Sequence, residues 1–596
     1  MKIEFVTTPT PRGGTPQTHV PLGLISLATV LNGTSGLRAG ILNLNRRSCF
    51  RDPQEIAREI LDREPDAIGF SCLASGYAFS LELAGWCKRL QPKVKVLFGG
   101  IQPTVCAETT ARHFPQVDRV VRGECETRIA PVLNALDDPE ALAKIPGVTF
   151  MDRGKLLSTP PAEPIPDLNC LPLPDYSLFP DCREVFSLPL EIGRGCPFPC
   201  SFCCIRSVSG RTPRLYTPDR IVRLIARLDP THPTHDFTLF QDTFNFHRDW
   251  VLTFCRILRE TGLAIRWGTF ARIDRLDDEL LEAMAAAGCW WLYFGLESAS
   301  PRLQSAFGKH FDAGMVDRVL SKARELGIQA VLSYIIGFPD ETPQEMAATI
   351  RQATRYRYDI PWQPKTRLHV LAPLTGSPLY EQYRDRLQFD GIYSDFVVDI
   401  LNPEQKQLVQ RHPDMFSVFF HFPLQHLRRP EVTRAAYLFE VLAAMRYTCF
   451  WLLHDPGFRY PEGLLESALL DTLPERLRWW DRVETDDIEA VIRFLRAGFP
   501  ELLTGDHPLP DIMAYDLTLL QCRAEGSRIR RFEWDVRAFA REAGRGGFRE
   551  LHEPPPGPVT LLFTPDGGDQ EVRVRRLPEF PGLRPEIHPE KRPGGR

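Results

Sequence analysis

At 596 residues the chain is several times the usual single-domain length, so two to four domains with well-buried cores are expected and no disulfide staples are needed. Hydrophobic residues make up 43% and charged residues 25%, ordinary values for a globular protein, and a formal net charge of -4 gives no field to draw in nucleic acid or an anionic membrane. The opening "MKIEFVTTPTPRGG" has no long apolar run before a small-residue cleavage site, and "VPLGLISLATVL" is well short of the roughly 20 residues that span a bilayer, so it reads as a buried helix and the chain as cytosolic.

Residues 1–145 alternate "KIEFVTTP", "AGILNLN", "PDAIGFSC", "VKVLFGG" and "VDRVVRGE" with helical stretches, a doubly wound α/β pattern. The strands are short and bounded by Gly or Pro, which predicts a sheet buried on both faces. No G-x-G-x-x-G follows the first strand and there is no P-loop, so dinucleotide or nucleoside triphosphate binding has no support. Residues 146–185, containing "GVTFMDRGKLLSTPPAEPIPDLNCLPLPDYSLFP", read as a β-ribbon followed by a semi-rigid, proline-rich linker.

Residues 186–385 begin with "LPLEIGRG" and continue through "DFTLFQDTFNF", "AIRWGTFARID", "WWLYFGLES", "IQAVLSYIIGFPDET" and "TRLHVLAPLTGSPLY", apolar β-rich runs separated by helices such as "DDELLEAMAAAGC". That alternation predicts a partial (β/α)6 barrel of parallel strands with right-handed crossovers and ligands at the strands' carboxyl ends. Residues 386–596 turn to helices, "AAYLFEVLAAMRYTCFWLLH", "LPERLRWWDRV" and "DDIEAVIRFLRAGF", whose aromatics Phe450, Trp451, Trp479 and Trp480 read as core. This region is expected to cap the barrel and help select the substrate. "GPVTLLFTPDGGDQEVRVRRLPEF" reads as a hairpin around "DGG", and the tail "RPEIHPEKRPGGR" as disordered.

Fifteen cysteines are present. In a reducing compartment, scattered thiols act as small buried hydrophobes, whereas clustered ones point to metal or catalysis. "GRGCPFPCSFCCIR", residues 193–206, places Cys196, Cys200 and Cys203 at C-x3-C-x2-C, and Pro197 and Pro199 keep the backbone out of a regular helix so that the loop can wrap one centre. Three thiolates suit a cubane iron-sulfur cluster with one open iron. Tetrahedral zinc would want a fourth ligand, and Cys204, adjacent to Cys203, projects in a different direction, with no second Cys or His pair nearby.

This spacing, with Phe202 before the last cysteine, resembles the signature of the radical S-adenosylmethionine (radical SAM) superfamily. The resemblance implies a [4Fe-4S] cluster on the three cysteines, SAM on the open iron, and reductive cleavage of SAM to a 5′-deoxyadenosyl radical. It assigns Gly295 and Glu297 of "FGLES" to the amino acid portion of SAM, Arg272 of "FARID" and Ser333 of "VLSYIIGFP" to its carboxylate and ribose, and Gly337 to the adenine. Phe202 and Asp242 of "FQDTF" join that set, although Asp242 also suits an N-cap.

Residues 1–145 resemble the cobalamin-binding domain found ahead of radical SAM domains, through "VPLGLISLA", "IGFSCLAS", "FGGIQPT" and "RGECET" in that order. The resemblance implies that Pro21, Leu22, Gly23, Ser71, Cys72, Gly99, Gly100, Gln102, Gly123 and Glu124 lie against the corrin and its tail, the small ones letting backbone approach a flat face. The D-x-H-x-x-G motif is absent: Gln17 stands at the Asp position, His19 precedes "VPLG", and the glycine comes one residue late, which leaves the lower cobalt ligand open.

Together the resemblances imply a cobalamin-dependent C-methyltransferase: one SAM methylates cobalamin, a second supplies the radical that takes a substrate hydrogen, and the carbon radical takes the methyl group. A non-methylating cyclisation, ring contraction or oxidation with the same cofactors is the alternative; a cobalamin- or cluster-binding sensor or scaffold is another, opposed by the intact cysteine triad. Expected partners are a small-molecule, carrier-bound or peptide substrate and an electron donor such as flavodoxin or ferredoxin, with a monomeric chain and neither nucleic acid nor membrane.

Overall fold

The computed structural model describes residues 1–7, 20–44, 52–358, 365–395, 400–454, 458–475, 483, 485–500, 508–525, 528–534, 536–537, 540, 556–566 and 571–576. His19, Gln17, Trp479, Trp480 and the C-terminal tail lie outside the described residues. The chain forms two compact units, one of Met1–Glu297, Pro301–Ser333 and Leu371–Pro423, the other of Ser298–Ser300, Tyr334–Val370 and Leu424–Arg596.

In the first unit, strands β1 (Lys2–Thr7), β2 (Arg38–Asn43), β3 (Ala67–Ser71), β4 (Lys95–Gly99), β5 (Arg119–Val121), β6 (Val148–Asp152) and β7 (Lys155–Ser158) form one sheet in the order β2-β1-β3-β4-β5-β6-β7. The first five are parallel, as the strand-helix alternation requires. Both faces are covered: Ile3, Phe5 and Leu97 pack with the helix Leu22–Asn32 on one side, and Val6, Phe70, Val96 and Phe98 with Tyr77–Leu90 on the other. The strand order reverses between β1 and β3, so the crevice for a ligand lies at the carboxyl ends there.

Two segments differ from the sequence-based expectation. The ribbon of β6 and β7, read as part of the linker, pairs antiparallel with β5 and so extends the N-terminal sheet. Residues 386–423, read as the start of a C-terminal domain, return to the first unit, where Met415, Phe416, Val418, Phe419 and Phe420 fill the core beneath β3 and β4. Burial of that apolar run outweighs its position along the chain.

The second sheet contains β8 (Leu188–Glu191), and, after the short antiparallel pair β9 (Gly193–Arg194) and β10 (Arg214–Leu215), β11 (Asp236–Phe240), β12 (Arg266–Ala271), β13 (Cys289–Glu297), β14 (Gln329–Ile336) and β15 (Lys365–Val370). Its order is β15-β14-β13-β12-β11-β8, and β8, β11, β12 and β13 pair in parallel, giving an open six-stranded (β/α) barrel. Helices Arg248–Glu260, Asp278–Ala286 and Ala313–Glu325 bury one apolar face each. Asp277 and Asp312 cap the last two by accepting from the backbone N–H groups of Leu280 and Met315.

The rest of the second unit is mostly helical: Arg429–Ala444, Arg446–His454, Thr485–Gly498 and Leu509–Glu525, with Trp451 buried. Strands Pro556–Asp566 and Glu571–Arg576 form the expected hairpin, and Arg528–Trp534 adds a third strand along Pro556–Asp566. The chain's own strand thus occupies one edge that a peptide could have used. Among the described residues, no helix is long and apolar enough to cross a membrane.

Candidate cofactor-binding and active site

The cysteine loop leaves the carboxyl end of β8, and the β9–β10 pair brackets its two ends. Gly195 has φ +88°, and a Cβ there would lie 2.7 Å from the Thr212 carbonyl oxygen, so the tight entry demands glycine. The loop is fastened along its length. The Phe202 ring meets Phe307 edge to face at 5.3 Å, Phe198 lies 4.0 Å under the Arg272 guanidinium, and the Leu379 N–H donates to the Ser201 carbonyl at 2.8 Å.

Cys196, Cys200 and Cys203 are all half-buried, and Cys196 Sγ lies 3.5 Å from Thr243 Oγ1. Burial pushes the Cys203 thiol up to about 12 and raises Cys200, against which the Lys309 charge acts. Among the described residues, no three His, Cys, Asp or Glu side chains converge closely enough to hold one metal ion. A cubane seats each thiolate on a different iron, so the three cysteines on one anchored loop fit a cluster better than a single ion.

The carboxyl ends of β12 and β13 bring charged residues beside this loop. Arg272 is only 8% exposed; its Nε and Nη2 bind Asp274 at 2.9 and 2.6 Å and Nη2 also reaches the Gly308 carbonyl, while Nη1 is buried with no hydrogen-bond partner among the described residues. An orphaned guanidinium donor costs free energy unless an acceptor arrives, and a ligand carboxylate would supply one. Asn245 fixes the Arg272 backbone from both sides, accepting from its N–H and donating to its carbonyl. Glu297 sits at φ +66°, and its Oε1 accepts from the buried ammonium of Lys309 at 2.6 Å; Lys309 also donates to the Gly295 carbonyl at 2.6 Å. A Cβ on Gly295 would stand 2.2 Å from Glu297 Oε1, so the glycine makes room for this pair.

Lys309 carries no motif signal in the sequence. Lys309→Met leaves a buried carboxylate without its cation, and unfolding measurements are expected to show a loss of about 3 kcal/mol; an unchanged melting curve would mean that Glu297 finds another partner.

Ser333 is buried on β14 in the first unit. Gly337 belongs to the second unit; its φ of +88° and the Val432 methyl 2.9 Å from where a Cβ would stand account for the glycine. Its N–H donates to Glu341.

A cavity of about 560 Å³ opens at the strand ends of the N-terminal sheet. Of the candidates for cobalamin, Leu22, Gly23, Ser71, Gly99, Gly100, Gly123 and Glu124 line it, as does Asp242. A Cβ at Gly23 or Gly123 would meet no atom within 4 Å, and Gly123 has φ +69°, so these two leave the kind of open cradle a flat macrocycle needs. Gly100 differs, since its φ of +97° and the Cys72 backbone 3.3 Å from a Cβ position give the chain its own reason for glycine. Pro21 precedes the helix Leu22–Asn32 and does not line the cavity, and the Cys72 side chain is buried in the core. Gln102 is a correction: its amide turns into the core and donates to the Met415 carbonyl at 2.6 Å, drawn there by the returning 386–423 segment.

Asp242 faces the cavity and accepts from the Gly195 N–H at 3.1 Å. The surrounding protein pushes its carboxyl up to about 6 by desolvation, moderated by that hydrogen bond and reinforced by Glu191. Beside it lies a buried ionic network that sequence reading missed. Arg194 binds Glu191 through Nε and Nη2, both at 2.9 Å, and Glu126 through Nη2 at 2.5 Å, while Arg214 binds both oxygens of Glu124 at 2.5 and 2.8 Å. Glu124 is therefore committed through its carboxylate to the barrel side. The network ties the loop after β5 to the entry of the cysteine loop.

Comparisons with known proteins agree with these two halves. Residues 190–353 match the Radical SAM superfamily and residues 13–133 the B12 binding domain. An uncharacterized methyltransferase of Pyrococcus horikoshii is 30% identical over 390 residues, covering 64% of this chain and 83% of that protein. An anaerobic magnesium-protoporphyrin IX monomethyl ester cyclase of Rubrivivax gelatinosus is 25% identical over 383 residues, 61% of this chain and 68% of that one. The solved radical SAM methyltransferase TsrM of Kitasatospora setae aligns at TM-score 0.57 and 19% identity over 76% of this chain and 89% of its own. At so low an identity it shows the fold alone. The two domain matches on one chain and the extent of the Pyrococcus match establish the family: the chain belongs to the cobalamin-dependent radical SAM enzymes of the methyltransferase type.

Proposed function

We propose that the protein is a C-methyltransferase that moves a methyl group from SAM, by way of cobalamin, to an unactivated carbon of a natural-product or peptide intermediate. One observation carries this reading: a single cavity is lined by Ser71, Gly99 and Gly123 from the N-terminal sheet and by Arg194, Gln241 and Asp242 from the barrel. A methyl relay needs both cofactors to face one space, so that the reacting groups are held rather than met by diffusion. A sensor or scaffold has no such need.

In this reading Cys196, Cys200 and Cys203 hold the cluster, Arg272 Nη1 receives the carboxylate of SAM, and Glu297, shared with Lys309, faces its ammonium. Gly23, Ser71, Gly99 and Gly123 leave room for the corrin. When bound, the cluster and SAM supply a hydrogen-abstracting radical, and cobalamin supplies the methyl carrier. The chain's residues bind, orient and exclude water: Asn245 and Asp274 hold the Arg272 fork in place, and the Arg194 network holds the loop that carries Cys196. The reading includes an electron donor such as flavodoxin or ferredoxin and a cytoplasmic setting.

A second reading keeps the cofactors and ends in cyclisation or oxidation without methyl transfer; the relative in Rubrivivax gelatinosus, named a cyclase, favours it. Anaerobic reconstitution with iron, sulfide, hydroxocobalamin, SAM and a reductant, followed by mass spectrometry, separates the two. Both 5′-deoxyadenosine and S-adenosylhomocysteine are expected. Deoxyadenosine alone would transfer the assignment to the second reading, and neither product would remove both.

A further inference from the structure

Inside the barrel stands a wall of aromatic side chains that none of the cofactor assignments uses. Parallel register places Leu239 opposite Thr269 and Phe270 opposite Tyr293, so Phe240, Phe270 and Tyr293 come side by side on three adjacent strands. Alternation along the strands sends Leu239, Leu292 and Phe294 into the opposite, fully buried face. The ring centroids of Phe240 and Phe270 are 5.2 Å apart, as are those of Phe270 and Tyr293, and Trp291 meets Phe270 edge to face at 6.0 Å. Gly268 is what lets Trp291 join them: a Cβ there would stand 2.1 Å from the indole, which therefore lies across the strand.

Phe240 is 39% exposed, an unusual state for a phenylalanine on a central barrel strand, and it lines the cavity together with Phe270. Apolar rings facing such a space are stabilised when another apolar face covers them. Charge around the cavity restricts what that face can be. Among the described residues lining it, Arg194 is the single cation, and Glu191 and Glu126 already engage it, while Asp242 and Glu191 repel anions. A carboxylate or phosphate finds no unengaged cation among these residues.

We propose that this wall is the substrate's seat and that it takes a planar, uncharged ring system, aromatic or conjugated, laid against Phe240 and Phe270 with its edge toward the shared cavity. Offset and edge-to-face contacts over 4.5–7 Å are what such a ring gains from these side chains and what a saturated ring of equal size does not. The inference rests on the proposed function, whose substrate class it narrows.

The test uses the reconstituted holoenzyme and three probes measured by anaerobic calorimetry: indole, octahydroinden-5-ol as the saturated bicyclic comparator of similar size and indole-3-carboxylate as the anionic one. Indole is expected to bind saturably and about fivefold or more tighter than either comparator, and Phe240→Leu and Phe270→Leu, each checked for full iron and cobalamin content, to weaken it by about fivefold. Indole no tighter than the saturated bicycle overturns the inference. So does unchanged indole binding in both fully loaded variants, which would place the ring elsewhere. SAM cleavage by the unmodified protein without any probe reports the proposed function separately, so cleavage without ring selectivity removes this inference alone.

Discussion

Cys200→Ala is expected to abolish cluster assembly and SAM cleavage while cobalamin stays bound. Three thiolates on one loop leave no spare ligand: Cys204, the nearest other thiol, follows Cys203 directly and opens the helix Ile205–Ser209 as its N-cap. Cys200 is also the member whose surroundings are most specific, since Lys309, Glu297 and Arg272 all act on its charge. The cradle is built by other elements, Gly23 in the first turn of the helix Leu22–Asn32 and Gly123 after β5, and none of its lining residues is one of the three cysteines, so its contents do not need the cluster's ligands. Iron content and visible absorbance report the cluster, cobalamin absorbance reports the other half, and deoxyadenosine reports cleavage. Full cleavage activity in the variant would refute the cluster assignment. Loss of cobalamin as well would show that the cysteine loop and the loop after β5, joined through Arg194 and Arg214, order as one cooperative body.

What the sequence made readable was local and periodic. Five short apolar runs between helices gave the N-terminal parallel sheet, strand-helix alternation gave the barrel, and C-x3-C-x2-C in eight residues gave the cluster loop; each signal lies within one element or one turn. What it hid depends on residues far apart. Arg194 meets Glu126 across 68 positions and neither residue type is unusual where it stands. Lys309 reaches back 12 positions to Glu297 across the helix Pro301–Ala306, and nothing in "FGKHF" distinguishes a buried lysine from an exposed one. The run "MFSVFF" is plainly apolar, yet its destination, beneath β3 and β4, is decided by which core has a vacancy. That is also why Gln102 left the cavity: its partner, Met415, arrives from 313 positions away. The aromatic wall was hidden for a third reason, since period-two alternation is visible but which face turns inward depends on closure of the sheet.

Arg194→Met is the substitution expected to damage the fold most. The guanidinium is 10% exposed and contacts Glu126, itself 5% exposed, and the more exposed Glu191; losing it leaves the buried Glu126 carboxylate uncompensated, a change that costs about 3–5 kcal/mol. The pH dependence identifies the cause. In the native protein burial raises the Glu126 carboxyl, but the Arg194 charge and hydrogen bonds outweigh it and hold the group below the usual carboxylate range. A depressed folded value means the unfolded state binds more protons in that window, so this stabilisation is present above the unfolded value and is lost as pH falls through the folded one. In Arg194→Met, burial, the largest influence on Glu126, is opposed only by the hydrogen bonds from Ser26 and the backbone, and it raises the group. The folded state of the variant then binds the extra proton, and its stability improves as pH falls from neutrality toward the ordinary carboxylate value. The deficit relative to the native protein is therefore expected to be largest near pH 7 and to shrink toward pH 5. Adding Glu126→Gln should recover part of it at pH 7, with a coupling of about 1–3 kcal/mol in the double-mutant cycle. A deficit that is small and independent of pH would mean that the network is ornament on a junction held by packing. Because Arg194 is followed directly by Gly195 and Cys196, the same variant is expected to lose cluster content before it loses its fold, and iron analysis on the folded fraction would register that order.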